Sequence, residues 1–319
     1  MRALVTGANG FIGAALAERL LQPGVLPGIH LTELVLLDQS FKHPPTDARV
    51  RHHTGDIADP ALLRQALEGG VQFVFHLASV PGGLAERDYA LGQRVNLGAT
   101  HELLWQLREQ AQPAVVVFAS SIAVYGHPMP AAMDESTAPN PQLSYGVHKL
   151  MGELMLRDFT RRGWIDGRSL RLPGVVARPR EPSGLLSAYM SDIQHALAAG
   201  ERFTCPVSAQ AVSWWMSAAC CVENLLHAAT LPAERLAAHR TWVLPVLRAS
   251  MAELVDALAR RYGDDRRGLV SYQPNEGLEA AFGRYPPLAT SDAEALGFRN
   301  DGSLDLLLQR TLGATFKAG

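Results

Sequence analysis

A tyrosine and a lysine separated by three residues are the pair in this sequence whose types and spacing most directly suggest chemistry. Tyr145 and Lys149 would share one face of a helix, because positions i and i+4 lie on the same side. A lysine ammonium close to a phenol favours the phenolate and lowers the phenol pKa from its usual value of about 10. Pro139, Pro141 and Ser144 predict that a helix begins here. Tyr145 is therefore a candidate general acid/base near neutral pH.

Two adjacent serines stand at the end of an apolar run that predicts a buried strand. The run covers residues 115–119, and Ser120 and Ser121 follow it. The carboxyl edge of a parallel sheet is where ligands of open α/β proteins bind. A hydroxyl at that edge can hydrogen-bond a substrate oxygen and fix it against Tyr145. The residues therefore predict a serine–tyrosine–lysine constellation, and taken alone they leave open which serine belongs to it.

The elements that must position these residues begin with a glycine-rich stretch, TGANGFIG, at residues 6–13. An apolar run before it predicts a strand, and apolar residues at helical spacing after it predict a helix. Gly7 would permit a tight turn, Gly10 would leave the backbone bare for a pyrophosphate, and Gly13 would let the helix pack close to the strand. The first N–H groups of such a helix favour an anion. The stretch therefore predicts a dinucleotide site.

An acidic residue ends the second predicted strand, residues 33–37. Asp38 lies at the distance beyond the glycines where a carboxylate can accept hydrogen bonds from both adenosine ribose hydroxyls. It would repel the additional phosphate of NADP, and no arginine or lysine follows it directly. We therefore predict NAD as the cofactor. An oxidised nicotinamide is positive and would further favour the phenolate of Tyr145.

Composition and charge exclude several other classes of function. Of 319 residues, 47% are apolar, which is enough for a sizeable core in one large α/β unit or two lobes. The formal charge of −2 gives no basic field for nucleic acid or a membrane surface. Three cysteines without a CxxC motif predict neither a disulfide framework nor a metal site. The sequence leaves no room for a signal peptide and has no spanning run, so we expect a soluble cytoplasmic protein.

Alternating strand and helix patterns predict a Rossmann-type α/β fold, a doubly wound parallel sheet with a smaller C-terminal substrate lobe. We predict strands at 2–6, 33–37, 50–53, 71–77, 114–120 and 168–172. We predict helices at 11–22, 60–68, 88–110, 144–161, 184–199, 217–229 and 250–262, with a packed segment from 296 to 312. Residues 1–172 would form the NAD-binding domain, with part of 211–240 packing back on it. Residues 173–319 would mostly form the substrate lobe.

Other strand ends carry candidates for cofactor contact. Asp56 follows the third strand and could accept a hydrogen bond from the adenine amino group. His76 ends the fourth strand, and the small residues after it would let the backbone lie against the cofactor. A histidine in that position is more often a satisfied core residue than a functional one. Asn96 could cap or link a polar network, or be an ordinary polar residue of a helix.

The motifs together resemble the extended short-chain dehydrogenase/reductase family, which includes nucleotide-sugar epimerases and dehydratases. They are TGANGFIG, the strand-ending Asp38, HLAS at 76–79, SSIAVYG at 120–126 and YGVHK at 145–149. The resemblance implies catalysis by Ser121, Tyr145 and Lys149, and it prefers Ser121 because of its distance to residues 124–126. It also implies a homodimer through the helices near 88–110 and 144–161. The implied NAD contacts are Gly7, Asn9, Gly10, Phe11, Ile12, Gly13, Asp38, Asp56, Ile57, Leu77, Ala78, Asn96, Tyr145, Lys149, Pro173 and Val175.

The second half departs from the sugar-nucleotide members of that family. It has no arginine or lysine between Arg202 and Arg235 to hold a pyrophosphate. LRLPGVVARP at 170–179, CPVS at 205–208, PLAT at 287–290 and ALGF at 295–298 are instead similar to the D-erythronate dehydrogenase branch. That branch oxidises the C2 hydroxyl of a four-carbon sugar acid with NAD. Besides Ser121 and Tyr145, Ser79 is a candidate substrate contact. Arg178 and Arg180 are the candidates for holding the substrate carboxylate, and Trp214 is a pocket wall or a core aromatic.

We therefore expect an NAD-dependent oxidoreductase that acts on the C2 hydroxyl of a small sugar acid. One alternative is a nucleotide-sugar 4-epimerase or dehydratase that keeps its NAD bound. Another is a non-catalytic NAD-binding sensor, against which the serine, tyrosine and lysine set argues, since a sensor needs no general base. The expected partners are the small-molecule substrate and a second copy of the chain, with no nucleic acid and no membrane.

Overall fold

The computed structural model describes residues 1–25, 29–180, 185–236 and 239–313. The chain forms two compact units. The first unit contains residues 1–124, 141–171 and 222–243, and the second contains the described parts of 125–140, 172–221 and 244–319. Thus residues 125–140 belong to the second unit, and a segment from the C-terminal half belongs to the first. It stays a prediction that one domain binds NAD and a second lobe binds the substrate.

Twelve strands are present in the described part of the chain. They are β1 (Arg2–Thr6), β2 (Glu33–Asp38), β3 (Val50–Thr54), β4 (Phe73–His76), β5 (Ala114–Ser121), β6 (Ile165–Leu172), β7 (Gly174–Val176), β8 (Phe203–Cys205), β9 (Val212–Ser217), β10 (Thr241–Val243), β11 (Leu247–Ser250) and β12 (Val270–Tyr272). All six predicted strands are confirmed. The six that were not predicted have three to six residues and lie in the second half, where periodicity over so few residues carries little signal.

Six of the seven predicted helices form, one is wrong, and the short helices Gly82–Arg87, Glu276–Phe282 and Ser291–Leu296 were not predicted. The helices are α1 (Phe11–Leu21), α2 (Pro60–Leu67), α3 (Gly82–Arg87), α4 (Tyr89–Gly92), α5 (Ala99–Leu107), α6 (Ser144–Arg161), α7 (Tyr189–Ala199), α8 (Ala218–Thr230), α9 (Met251–Tyr262), α10 (Glu276–Phe282), α11 (Ser291–Leu296) and α12 (Leu304–Leu312). Helix α7 begins at Tyr189 instead of residue 184, and residue 184 itself lies outside the described residues.

The single helix predicted for 88–110 is wrong. Asp88 leaves the helical region, with φ −127° and ψ 83°, and its side chain accepts a hydrogen bond from the backbone N–H of Leu91. It therefore ends α3 and caps α4, because a short acidic side chain competes with helical hydrogen bonding. A π-helical turn, Gln93–Gly98, then leads into α5.

The first unit is built on a parallel seven-stranded sheet in the order β10-β6-β5-β4-β1-β2-β3. This confirms the Rossmann-type doubly wound fold. The chain reverses direction across the sheet between β1 and β4, where Thr6 is paired with His76. Ligands of such sheets bind beyond the carboxyl ends of the strands at this switch point. A cofactor site is therefore expected at the turn after β1 and the segment after β4.

Buried apolar side chains of the sheet and of the helices packed on it form a core of the first unit. Leu4, Val35 and Val74 on the strands pack with Leu103 of α5 and Leu156 of α6. A parallel sheet covered by helices on both sides buries its strands almost completely, which accounts for their continuous apolar sequence. Among the described residues, none of the helices combines the length and apolarity that a membrane crossing requires.

The second unit has smaller sheets and its own core. Strand β9 pairs with β7 in parallel and with β11 in antiparallel orientation, while β8 and β12 form a separate pair. Helix α9 begins with a capping box in which Ser250 and Glu253 satisfy each other's backbone N–H groups. Its apolar face packs in a cluster that contains Trp215, Ile193 and Leu254.

Candidate active site

The glycine-rich turn has the geometry that its sequence predicted. Gly7 adopts a positive φ of 69°, and a Cβ there would lie 2.7 Å from the backbone nitrogen of Ala78. A Cβ on Gly13 would collide with the carbonyl oxygen of Gly7. The backbone N–H of Gly7 donates to the carbonyl of Leu37 at 2.9 Å. Glycine is therefore needed at both positions, because the turn is pressed between the end of β4 and the start of α1.

The first turn of α1 fits an anionic ligand. The helix begins after Gly10 with no side-chain cap and no acidic residue in its first turn. Its positive end is therefore left for a group such as a pyrophosphate. Asp38 stands beside the turn, where one carboxylate oxygen accepts from the backbone N–H of Asn9 at 2.9 Å and the other from that of Gln39 at 2.7 Å. The residues present thus fit a dinucleotide.

The segment after β4 is held by a buried asparagine. Asn96 is buried, its Oδ1 accepts from the backbone N–H of Val80 at 2.6 Å, and its Nδ2 donates to the Val80 carbonyl at 3.0 Å. Leu77, Ala78 and Ser79, which directly precede Val80, are half-buried. The structure thus gives Asn96 a role in holding this loop. Direct contact of Asn96 with the cofactor stays a prediction.

The two candidates after β3 are already engaged within the first unit. The carboxylate of Asp56 accepts from the backbone N–H of Ala58 at 2.9 Å and forms an ion pair with Arg94. The side chain of Ile57 is buried in the core cluster. The predicted contact of Asp56 with adenine and that of Ile57 with NAD both stay predictions.

His76 lies at the centre of a buried hydrogen-bond chain. Thr100 donates its hydroxyl to the carbonyl of Asn96 at 2.9 Å, so its oxygen accepts from His76 Nε2 at 2.8 Å. Nδ1 of His76 then accepts from the hydroxyl of Thr6 at 2.7 Å. Burial lowers the pKa of His76 to about 3, and the nearby Lys149 contributes to this. His76 is therefore neutral, and both of its ring nitrogens are hydrogen-bonded, so that it links β1, β4 and α5. This agrees with the expectation of a core histidine in the sequence analysis.

Tyr145 and Lys149 share the inner face of α6, as their spacing predicted. The ammonium of Lys149 lies 5.5 Å from the centroid of the Tyr145 ring and 4.8 Å from that of Phe118. Lys149 is 2% exposed, whereas Tyr145 is half-buried. Burial lowers the pKa of Lys149 to about 7, and the charge of Glu153 opposes this effect. Tyr145 therefore offers an accessible phenol, and Lys149 offers a buried cation close to it.

The two serines at the end of β5 have different surroundings. Ser120 is buried and donates its hydroxyl to Glu153. Ser121 is half-buried, and its oxygen accepts from the backbone N–H of Ala123 at 3.1 Å. The hydroxyl proton of Ser120 is therefore committed inside the protein. This arrangement supports Ser121 as the substrate contact.

Sequence reasoning missed four residues that build this part of the site. Gly146 and Gly152 let α6 approach β5, because a Cβ at 146 would run into the carbonyl of Ala123 and one at 152 would lie 2.7 Å from the Phe118 ring. Glu153 and Arg171 form a buried ion pair at 2.7 Å. Two signals were available in the sequence: Glu153 continues the four-residue spacing of Tyr145 and Lys149, and Arg171 interrupts an apolar strand, where a charge needs a partner.

The second unit holds the remaining candidates, and most of them are part of its framework. Pro173 is buried between β6 and β7, and Val175 is buried in β7, where it pairs with Met216 of β9. Trp214 has no exposed surface, donates its indole N–H to the carbonyl of Pro286 at 2.8 Å and packs on Tyr285. The structure thus gives Trp214 a packing role, and its assignment as a pocket wall gains no support.

The two candidate arginines differ in their anchoring within the second unit. The backbone of Arg178 is held by α7, because its N–H donates to Ser191 at 3.0 Å and its carbonyl accepts from His195 at 2.7 Å. Arg180 is exposed and forms an ion pair with Glu201 at 2.7 Å. A well-anchored arginine on a packed segment is the better candidate for orienting a ligand. We therefore favour Arg178 of the two, and its contact with the substrate carboxylate stays a prediction.

Comparison with known proteins assigns the family. The model of the NAD-dependent epimerase/dehydratase family matches residues 3–231. The chain belongs to this family. The resemblance inferred from the motifs is therefore confirmed, and the chain is an NAD-dependent oxidoreductase with NAD as its cofactor.

Several known proteins resemble this chain along nearly its whole length. The D-erythronate dehydrogenase of Cupriavidus necator is 40% identical over 314 residues, which is 97% of each protein. The D-erythronate dehydrogenase of Haemophilus influenzae is 30% identical over 97% of this chain and 98% of its own length. Among solved structures, a nucleoside-diphosphate-sugar epimerase from Agrobacterium tumefaciens superposes with a TM-score of 0.90 at 30% identity, covering 97% of this chain and 92% of that one.

Proposed function

We propose that this family member oxidises the C2 secondary hydroxyl of a small sugar acid, D-erythronate or a close relative, to the 2-keto acid with NAD. The observation that carries the proposal is the 40% identity, over 97% of both chains, with a protein named D-erythronate dehydrogenase. The arrangement in the first unit supports it, since Ser121, Tyr145 and Lys149 lie on the neighbouring elements β5 and α6. These three residues are the proposed catalytic residues.

The proposed mechanism assigns one task to each side chain. NAD, when bound, supplies the acceptor for the hydride that leaves C2. The hydroxyl of Ser121 hydrogen-bonds the reacting oxygen and orients it, and the phenolate of Tyr145 takes its proton as the general base. The ammonium of Lys149 favours that phenolate electrostatically. The glycine turn and Asp38 would hold the dinucleotide, because they offer a bare helix end and a ribose acceptor.

We also propose that the protein is a cytoplasmic homodimer through α5 and α6. Val147, Met151 and Leu154 recur every three to four residues on α6, and each is 39–46% exposed. Trp105 on α5 is 42% exposed. Large apolar side chains gathered on one pair of helices are typical of a protein–protein contact.

A second candidate function is a nucleotide-sugar epimerase, which the similarity to the Agrobacterium tumefaciens structure favours. Such an enzyme must hold a pyrophosphate, and the stretch from 203 to 234 has no arginine or lysine. The absence of a bidentate donor there weakens this alternative.

The test is a screen for NADH formation. Purified protein with NAD is offered D-erythronate, its stereoisomers, other C4–C6 aldonates and, in parallel, UDP-sugars. Net NADH that depends on a four-carbon aldonate is the expected result. Conversion of a UDP-sugar to its epimer without net NADH would overturn the proposal in favour of the epimerase. Bound NAD without turnover of any compound would instead favour the sensor.

A further inference from the structure

The buried acid Glu153 continues the helical stripe that carries Tyr145 and Lys149. The three residues are spaced by four along α6 and therefore share one face of it. Glu153 is 5% exposed. Burial of charged groups on adjacent helical turns costs free energy unless each has a partner. The partners of Glu153 therefore show why an acid stands at this position.

Both oxygens of the Glu153 carboxylate accept hydrogen bonds from side chains on the neighbouring strands β5 and β6. Arg171 on β6 donates from Nε to Oε1 at 2.9 Å and from Nη2 to Oε2 at 2.7 Å. Ser120 on β5 donates its hydroxyl to Oε1. A two-pronged arginine fixes the plane of a carboxylate as well as its position. The Glu153 side chain therefore links α6 to both β5 and β6. Its partner on β5, Ser120, is the residue directly before Ser121 in the sequence.

Among the described residues, the other groups found near Lys149 are two aromatic rings and a neutral histidine. Phe118 on β5 and Tyr145 on α6 present aromatic rings to its ammonium at 4.8 and 5.5 Å. His76 on β4 is neutral, since burial holds its pKa at about 3. Burial also lowers the pKa of Lys149, and the charge that opposes this effect is that of Glu153. The carboxylate acts on Lys149 through space, while its oxygens bond Arg171 and Ser120.

We propose that Glu153 is a positioning residue: held by Arg171 and Ser120, it supplies the counter-charge of the buried Lys149 ammonium and fixes the helix of Tyr145 against the strand end that carries Ser121. The inference rests on the proposed function for the roles of Tyr145 and Ser121. The relation between Glu153 and Lys149 does not depend on the substrate and can be measured in the ligand-free protein. Loss of the carboxylate would leave Lys149 less protonated, which would weaken its support of the Tyr145 phenolate.

The sequence allows a direct measurement, because it contains only three lysines. They are Lys42, Lys149 and Lys317. Protein made with 13C-labelled lysine would give three side-chain Cε signals, which Lys42→Arg and Lys317→Arg variants assign. The chemical shift of each signal, followed against pH by NMR in protein without ligand, reports the titration midpoint of each amine.

Glu153→Gln keeps the shape of the side chain and removes its charge. We expect the titration midpoint of Lys149 to fall by about one pH unit in this variant, because a nearby opposite charge shifts a pKa by one unit or more. The matched control is Asp158→Asn, an acid-to-amide change at a partly exposed position of the same helix, where the acid pairs with Arg161 and Arg162. It should leave the Lys149 midpoint unchanged. An unchanged or higher midpoint in folded Glu153→Gln protein would overturn the proposal.

A second variant guards against a failure to fold, because Glu153→Gln leaves Arg171 buried without its carboxylate. Glu153→Gln combined with Arg171→Gln removes both charges of the pair. The Lys149 midpoint should again fall below that of the wild type. If it remains at the wild-type value in the folded double variant, Glu153 is not the counter-charge. Far-UV circular dichroism and thermal melting establish that each variant is folded.

Steady-state kinetics give a separate test, with the sugar acid that the NADH screen identifies as the substrate. We expect kcat of Glu153→Gln to fall about tenfold at pH 7, and the pH of half-maximal kcat to move upward, with KM for NAD little changed. A loss of kcat with no shift of the pH profile would mean a structural role only and would overturn the positioning assignment. A wild-type protein that turns over no aldonate would contradict the proposed function, whereas the NMR titration would still decide the relation between Glu153 and Lys149.

Discussion

Tyr145 is the residue whose removal tests the chemistry most directly. Tyr145→Phe removes the phenol oxygen and keeps the ring that packs against the first-unit core. We expect kcat to fall by about 10²–10⁴-fold, the usual loss for one general base, while NAD still binds. Steady-state kinetics with the identified sugar acid and an NAD-binding titration make the measurement. Near-normal turnover would show that another group is the base.

Arg178 is the residue expected to grip the substrate carboxylate. Arg178→Ala should raise KM for the sugar acid by about 30-fold or more, because truncating a clamping charge pair costs about 2 kcal/mol or more. The matched control is Arg180→Ala, since Arg180 is exposed and paired with Glu201. It should change KM by less than about fivefold. The preference for the acid over the corresponding neutral polyol is the readout, and a preference unchanged in both variants would place the carboxylate elsewhere.

His76 is expected to make stability depend on pH. Its pKa is about 3 in the folded protein and 6.5 as a free side chain. Between these values the unfolded chain binds a proton that the folded protein does not, so stability is present above pH 6.5 and is lost as the pH falls. From pH 7 to pH 5 this one group should cost about 2 kcal/mol of unfolding free energy.

The measurement is urea unfolding of wild type and His76→Gln at pH 7 and pH 5. The variant should lose about 2 kcal/mol less than the wild type between these pH values, whatever its stability at pH 7. Exposed His43 provides the control, since His43→Gln should lose as much as the wild type. An equal pH dependence in wild type and His76→Gln would contradict the neutral buried state of this histidine.

At the scale of elements, the close approach of α6 to β5 decides where Tyr145 stands. A Cβ on Gly146 would run into the carbonyl oxygen of Ala123 in the turn after β5. Gly146→Ala should therefore push the start of α6 away, at a cost of about 1–3 kcal/mol in unfolding free energy and with a marked loss of kcat. Urea unfolding and steady-state kinetics measure the two effects.

Gly98 gives the matched control for this change. It also lies in a helical segment, but a Cβ there would be 3.7 Å from the nearest atom, the carbonyl oxygen of Gln93, which is ordinary contact. Gly98→Ala should leave kcat unchanged and stability equal or higher by about 0.4–1 kcal/mol. If Gly146→Ala behaves in the same way, α6 has room to spare and the glycine does not position Tyr145.

At the scale of the whole molecule, the exposed apolar face of α5 and α6 predicts the oligomeric state. Leu154→Glu places a charge on that face and should convert a dimer to a monomer, as measured by sedimentation velocity. Leu306→Glu on α12 is the control, because Leu306 is 45% exposed, like Leu154 at 46%. It should leave the dimer intact. A wild-type monomer, or a Leu154→Glu variant that still dimerises, would exclude this interface.

The sequence by itself determined the fold of the first unit and the family. The glycine spacing, a strand-ending acid and a tyrosine–lysine pair are local patterns, since each can be recognised within one turn or one element. The six predicted strands all form, Gly7 has the positive φ of a tight turn, and Gly13 makes the close approach that was predicted for it. Such patterns are readable because backbone geometry imposes them locally.

Only the tertiary structure decided the relations between distant residues. It separated Ser120 from Ser121 through Glu153, gave Trp214 a place in the core and tied Asn96 to the loop after β4. It also divided the helix predicted from residue 88 and added short strands of the second half to their sheets. Burial and pairing depend on partners far away in the sequence, such as Arg171 for Glu153, and a local pattern does not encode which partner arrives.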